Sequence, residues 1–191
     1  MLSTIFPETE YDKLQYDEEG LYSVTHYIQA DYISVLLKNN FINNHNINIL
    51  DGTSGIGGNT ISFAKHFKYV TGIEINKERY KLLDNNIKQY NLDNVEIYNC
   101  DSIDYLFKNY IKYNIYFFDP PWGGPQYKMF NNIKLSISSK PLEEIAIYLK
   151  NKVKDKLLVF KLPFNYDFTE FSEFNYKLYK IKNYYIIVIL L

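Results

Sequence analysis

The chain has 191 residues, 47% of them hydrophobic and 23% charged, enough for one domain with a real core and too apolar for a disordered chain. A net charge of −1, with Arg79 the only arginine among 21 basic side chains, excludes a broad basic face for long nucleic-acid duplexes. The lone Cys100 cannot close an internal disulfide, no run reaches the ~18 apolar residues of a membrane span, and residues 1–10 lack a signal peptide's pattern.

These features predict an intracellular, membrane-free protein of the nucleus or cytoplasm, and a monomer. The abundance of Asn, Ile, Lys and Tyr fits an AT-rich genome, such as that of a virus or parasite acting in its host cell.

Residues 1–45 precede the first strand signal and are expected to form a helical extension covering the active site. The spacing of Val24, Ile28, Ile33, Leu36 and Leu37 predicts one amphipathic helix over Val24–Lys38. Residues 46–191 are expected to form the main domain, in which short β-rich runs alternate with helices. Ile47–Leu50 is a strand, followed by a glycine-rich turn and a helix over Asn59–Phe67. A strand over Tyr69–Ile75 leads to a helix from Lys77 to about Tyr90. Val95–Tyr98 is a strand, Ile103–Tyr110 a short helix and Tyr113–Phe118 a strand.

A helix is expected around Ser139–Lys152, with Ser139 as its N-cap and Pro141 in the first turn. Leu157–Lys161 is a strand, and Tyr176–Ile181 with Tyr184–Leu190 closes the chain as a hairpin turning at Lys182-Asn183. Alternation of this kind implies βαβ units and a mostly parallel sheet covered on both faces. The terminal hairpin suits a Rossmann-like class I methyltransferase, an α/β fold with a seven-stranded sheet whose last strand is antiparallel.

The segment Asp51 to Asn59 (DGTSGIGGN) lies between a strand and a helix, at the carboxyl edge of the sheet. It is neither G-x-G-x-x-G nor a P-loop. Asp51 would accept from the ammonium of S-adenosylmethionine (AdoMet), where a pyrophosphate would be repelled. Thr53, Gly55, Gly57 and Asn59 complete this loop of the cofactor site. Glu74, ending the second strand, is placed for the ribose hydroxyls. Asp101, after the third strand, is placed for the adenine amine.

Asp119-Pro120-Pro121-Trp122 follows the fourth strand, beside that loop. Methylating an exocyclic amine on a nucleobase requires acceptors that orient the nitrogen and draw its lone pair out of conjugation. Asp119 offers a side-chain oxygen and the carbonyl of Pro120 a second acceptor, both fixed by the rigid Pro-Pro backbone. Trp122 offers a stacking face. No metal is expected, since His26, His45, His66 and Cys100 have no ligand spacing.

Such Pro-Pro motifs serve both adenine N6 and guanine N2. The extension Trp122-Gly123-Gly124-Pro125, with DGTSGIGGN, Asn85-Asn86 and Glu19-Gly20-Leu21-Tyr22-Ser23-Val24-Thr25, resembles the trimethylguanosine synthase family over roughly Tyr16 to Asn165. The resemblance implies AdoMet-dependent methylation of N2 on the 7-methylguanosine of an RNA cap. It places Ser23 and Thr25, with Asp119, at the cofactor, and Trp122, Gly123, Pro125, Lys128 and Asn165 at the substrate. Trp122 would stack on a cationic base, adding a cation–π contribution.

Two departures stand out. Asp119 replaces the Ser common in cellular members, and Phe164 replaces Arg in a Leu-Pro-Arg-Asn run, which would leave cap phosphates to lysines such as Lys13, Lys128 or Lys161. Two other readings remain at this point: an adenine-N6 or guanine-N2 methyltransferase of rRNA, tRNA or DNA, and a non-catalytic cap-binding subunit.

Overall fold

The computed structural model describes residues 2–41 and 46–191. His45, and with it the expected boundary after residue 45, lies outside the described residues. The strands in chain order are β1 Asn48–Asp51, β2 Tyr69–Ile73, β3 Val95–Tyr98, β4 Ile115–Phe118, β5 Ser136–Ile137, β6 Lys140–Pro141, β7 Leu157–Pro163, β8 Tyr176–Ile181 and β9 Tyr184–Leu190. The helices are α1 Leu2–Ile5, α2 Glu18–Ser23, α3 Tyr27–Asn40, α4 Gly58–His66, α5 Lys77–Gln89, α6 Ser102–Asn109 and α7 Leu142–Lys150.

Seven strands form one sheet in the order β3-β2-β1-β4-β7-β9-β8. All neighbours run parallel except β9, which is antiparallel to both β7 and β8. This is the class I methyltransferase sheet. The order reverses beside β1, so the ends of β1 and β4 open a crevice at the carboxyl edge, the usual ligand position in such sheets.

Period-2 alternation divides the central strands between two cores. Tyr116, Phe118, Leu158, Phe160 and Leu162 pack with α6 and α7 on one face. Ile49, Phe117, Val159 and Ile186 pack with α3 and α4 on the other. The β7 stretch is buried at every position, as a central strand covered on both faces should be.

The N-terminal segment is knitted into this body. Ile5, Phe6 and Leu14 share a cluster with Leu83 and Ile87 of α5. Asn86, fully buried on α5, accepts from Gln15 N–H (2.8 Å) and donates to the carbonyls of Gln15 (2.8 Å) and Ile56 (3.0 Å). Arg79 donates to Asp17 (2.9 Å) and Glu19 (2.7 Å).

Two expectations are corrected. The helix predicted over Val24–Lys38 is Tyr27–Asn40, starting three residues later, because Val24-Thr25-His26 turns to pack on the glycine-rich loop. Ile28 accordingly lies exposed, while Ala30, Ile33, Ser34, Leu36 and Leu37 form the buried face of α3. Ser139 is no N-cap: Ser138 and Ser139 both have positive φ (49° and 65°), forming a two-residue turn between β5 and β6. The helix begins later, at Leu142, with Pro141 at its N-cap. The terminal hairpin has its expected bounds.

Candidate active site

The loop after β1 is shaped by three of its glycines. Gly55 has φ of 56°, in the left-handed region, with open space where a Cβ would project. A Cβ on Gly58 would meet Val24 Cγ2 at 2.5 Å and the Thr25 carbonyl at 2.7 Å, so the N-terminal segment lies directly on the start of α4. Thr25 is buried there and accepts from Asn59 Nδ2 at 3.1 Å, while Asn59 Oδ1 is buried without a partner. Gly57 is the N-cap of α4, also with positive φ. Ser23 is exposed and donates to the carbonyl of Glu19 in its own helix.

Asp51 ends β1 with no solvent exposure. Its Oδ1 accepts from the Thr53 N–H (3.3 Å) and its Oδ2 from the Thr60 hydroxyl (2.6 Å). Neither partner is charged. Burial pushes the carboxyl up to about 7, and the nearby Asp119 and Glu74 acids push the same way. Glu74, also buried, accepts from the N–H of Gly55 (3.0 Å) and of Asn76 (2.8 Å), and burial raises its carboxyl too. Asp101 caps α6, with Oδ1 accepting from Ile103 and Asp104 N–H at 2.8 and 3.1 Å.

This donor set fits AdoMet. A fully buried carboxylate without a countercharge is costly alone and well matched to an ammonium ligand. Glu74 and Asp101, at the ends of the next two strands, keep spare lone pairs for hydroxyl and amine donors. Among the described residues no group of His, Cys, Asp and Glu is arranged to hold a metal.

The reaction centre is joined to this loop. The Asp119 N–H donates to Thr53 Oγ1 at 2.6 Å, so Thr53 ties the end of β4 to the turn after β1. Pro120 is buried and Pro121 exposed. Trp122 is half-buried, with its ring edge-on to Tyr127 (5.1 Å between centres) and tilted against Tyr184 (6.4 Å). Its Nε1 is buried and lacks a partner in hydrogen-bond geometry. Gly123 and Gly124, at φ of 89° and 70°, turn the chain into a 3-10 helix over Gly124–Met129. Pro125 and Lys128 are exposed on it, Lys128 lying over the Tyr127 ring at 5.8 Å. Asn165 is buried and donates to the carbonyls of Tyr127 (2.8 Å) and Phe130 (2.6 Å), so its amide clasps the loop after Trp122.

Lys161 was expected among the cap-phosphate contacts. It instead donates to Asp119 Oδ2 at 2.6 Å, with side-chain exposures of 7% for the lysine and 15% for the acid. Its Nζ lies 5.1 Å from the Trp122 ring centre and 5.0 Å from that of Tyr184. Burial pushes the Asp119 carboxyl up, against the charge and hydrogen bond of Lys161. Lys13 pairs with Glu10 at the surface. Tyr184, which donates to Gln29 Oε1 at 3.0 Å, was also missed. A signal for Lys161 existed: a single charge inside the apolar run Leu157–Pro163 requires a buried partner.

A family model described as RNA cap guanine-N2 methyltransferase matches residues 46–189. The chain belongs to this family. As a member of the RNA cap guanine-N2 methyltransferases, it is an AdoMet-dependent enzyme acting at the cap guanine amine. An uncharacterized protein of Acanthamoeba polyphaga mimivirus is 38% identical, the match covering 88% of this chain and 75% of that protein. Trimethylguanosine synthase of Saccharomyces cerevisiae is 35% identical over 65% of this chain and 41% of its own length. That of Schizosaccharomyces pombe is 35% identical over 41% and 35%. The chain thus spans well under half of the two curated yeast relatives.

Among solved structures, a Thermus thermophilus 16S rRNA N2 methyltransferase in complex with AdoMet and guanosine superposes with a TM-score of 0.65. It is 14% identical, covering 84% of this chain and 42% of that one, a likeness of fold. No helix of the family member, among the described residues, is long and apolar enough to cross a membrane.

Proposed function

We propose that this chain alone methylates N2 of 7-methylguanosine on RNA caps, with Asp119, Pro120 and Trp122 as the residues that meet the base. The observation carrying this reading is the join between the two loops: one hydrogen bond, Asp119 N–H to Thr53, sets the amine acceptor beside the loop that holds Asp51. Family membership supplies the base and the cap.

Asp51 would hold the methionine ammonium, Glu74 the ribose and Asp101 the adenine of AdoMet, with Thr53, Gly55, Gly57, Asn59 and Thr25 shaping the loop and Ser23 at its outer edge. AdoMet when bound supplies an electrophilic methyl group. Asp119 Oδ1 and the Pro120 carbonyl accept from the N2 amine and turn its lone pair toward that methyl. The amine lone pair, so directed, would take that methyl group, the donor keeping the electrons of the bond it gives up. The surplus amine proton passes to Asp119 Oδ1 and then to water.

Trp122 stacks on the cationic purine, and Gly123 and Pro125 frame the turn beneath it. Asn165 holds that turn, and Lys128, exposed on it beside Tyr127, would meet the cap phosphates. The enzyme is proposed to act as a monomer inside a cell. The likeness to a mimivirus protein supports a viral setting with host-cell caps as substrate.

Labelled AdoMet supplied with 7-methylguanosine triphosphate, GTP or uncapped RNA tests the reading. Transfer to the methylated nucleotide is expected, and Trp122→Ala should lose that preference by about tenfold or more while still binding AdoMet. Equal transfer to all three substrates, or transfer to uncapped RNA alone, overturns it.

A further inference from the structure

We propose that Lys161 is a positioning residue of this active site: by gripping Oδ2 of Asp119 it keeps that carboxylate charged and aimed, with Oδ1 turned to the substrate amine. The inference rests on the reading that Asp119 meets the amine.

The register builds the pair. Phe118 lies opposite Phe160 across the parallel β4–β7 ladder, so one step further sets Asp119 beside Lys161. Alternation sends residue 161 to the same face as Leu157 and Val159, the face where Trp122 and Tyr184 pack. Four elements then fix the pair: Thr53 holds the Asp119 backbone, Lys161 its side chain, and the Trp122 and Tyr184 rings flank the ammonium.

A stability role accounts for this poorly. Replacing a buried ion pair with apolar residues is often neutral or stabilising, whereas removing one partner leaves a costly lone charge. A chemical role accounts for it well. A carboxylate at this buried edge, facing Asp51 on β1 with Glu74 beyond, would otherwise take up a proton and lose its acceptor strength. The pair is also neutral as a whole, so the ammonium beneath Trp122 does not repel a cationic base on the ring's free face.

Trp122 is the only tryptophan and touches the pair, so intrinsic fluorescence of the ligand-free protein reads its protonation without any catalysis. The measurement is a pH titration of fluorescence, run also in an Asp51→Asn background to remove that acid's own transition, together with the pH profile of kcat. Lys161→Met should move the fluorescence midpoint and the acid limb of kcat upward together, by about 1–3 pH units. Lys161→Arg should restore both. The double variant Asp119→Ser with Lys161→Met, in which no lone charge is buried, should fold and lack the Asp119 transition.

Activity lost in Lys161→Met with midpoint and limb unmoved means that Lys161 only packs, and overturns the proposal. So does a double variant keeping the wild-type limb, which would assign that limb to another group and holds even if the single variant does not fold. Failure to methylate any capped guanine sinks the cap reading instead and leaves the fluorescence result standing.

Discussion

Asp51 carries the clearest energetic consequence of any single residue. Its carboxyl, raised to about 7, stays protonated in the folded protein over a range where the unfolded chain has already ionised. The folded state therefore holds more protons between about pH 4 and pH 7, and stability of the ligand-free protein should fall as pH rises through that window, then level off. Asp51→Asn should flatten this fall in a thermal-melt series. An ammonium ligand reverses the sign, because it binds the ionised acid. AdoMet should bind about tenfold more weakly at pH 6 than at pH 8, and calorimetry on Asp51→Asn should show weaker binding with that dependence gone. A pH-independent affinity in the unaltered protein would remove Asp51 as the ammonium partner.

At the scale of elements, the extension before β1 is a clasp. Its anchors are Asn86 and Arg79 on α5 and Gly58 on α4, all distant in sequence from the residues they hold. Asn86→Ala should destabilise the fold by about 1–3 kcal/mol, because the Ile56 carbonyl would be left buried without a partner and the two bonds to the Gln15 backbone would be lost. Gly58→Ala should both weaken AdoMet binding and lower the melting temperature, since its Cβ would meet the Thr25 carbonyl and the buried Thr25 backbone must lift from the loop. Equilibrium unfolding and ligand titration separate the two.

Legibility followed the range of the interactions. Strands and the terminal hairpin were readable because alternation and turn residues are local, and the acids at strand ends were readable because topology puts those ends together. The start of α3 at Tyr27 was not, since packing of Val24 and Thr25 on Gly58 overrides the helical pattern there. Ser138-Ser139 resembled a cap because serine serves both caps and turns, and only its backbone angles distinguish them. Lys161 was misread because its partner lies on another strand and depends on register. Asn165 was expected at the substrate, and the bonds of its amide to backbone carbonyls of the adjoining turn depend on contacts that no local pattern announces.

For the whole molecule, near-neutral charge sets the style of recognition. With a net charge of −1 and a single arginine in the chain, binding should depend on stacking more than on counterion release. Affinity for a short capped RNA should fall by less than about tenfold between 50 and 200 mM salt, the slope expected for about two phosphate contacts. A loss of about a thousandfold in a salt titration would reveal an extended basic track instead.

The reversal of β9 has a consequence beyond closing the sheet. Parallel strands can offer this crevice only their trailing ends and the loops that follow them. Because β9 runs the other way, its first residue, Tyr184, stands level with Pro163 at the same edge, and the turn at Lys182-Asn183 lies on the rim. That two-residue turn belongs to no cofactor loop, so changes in its length or chemistry can remodel the wall around the base while the methyl donor's seat stays as it is. It is the natural place for engineering which guanine this scaffold accepts.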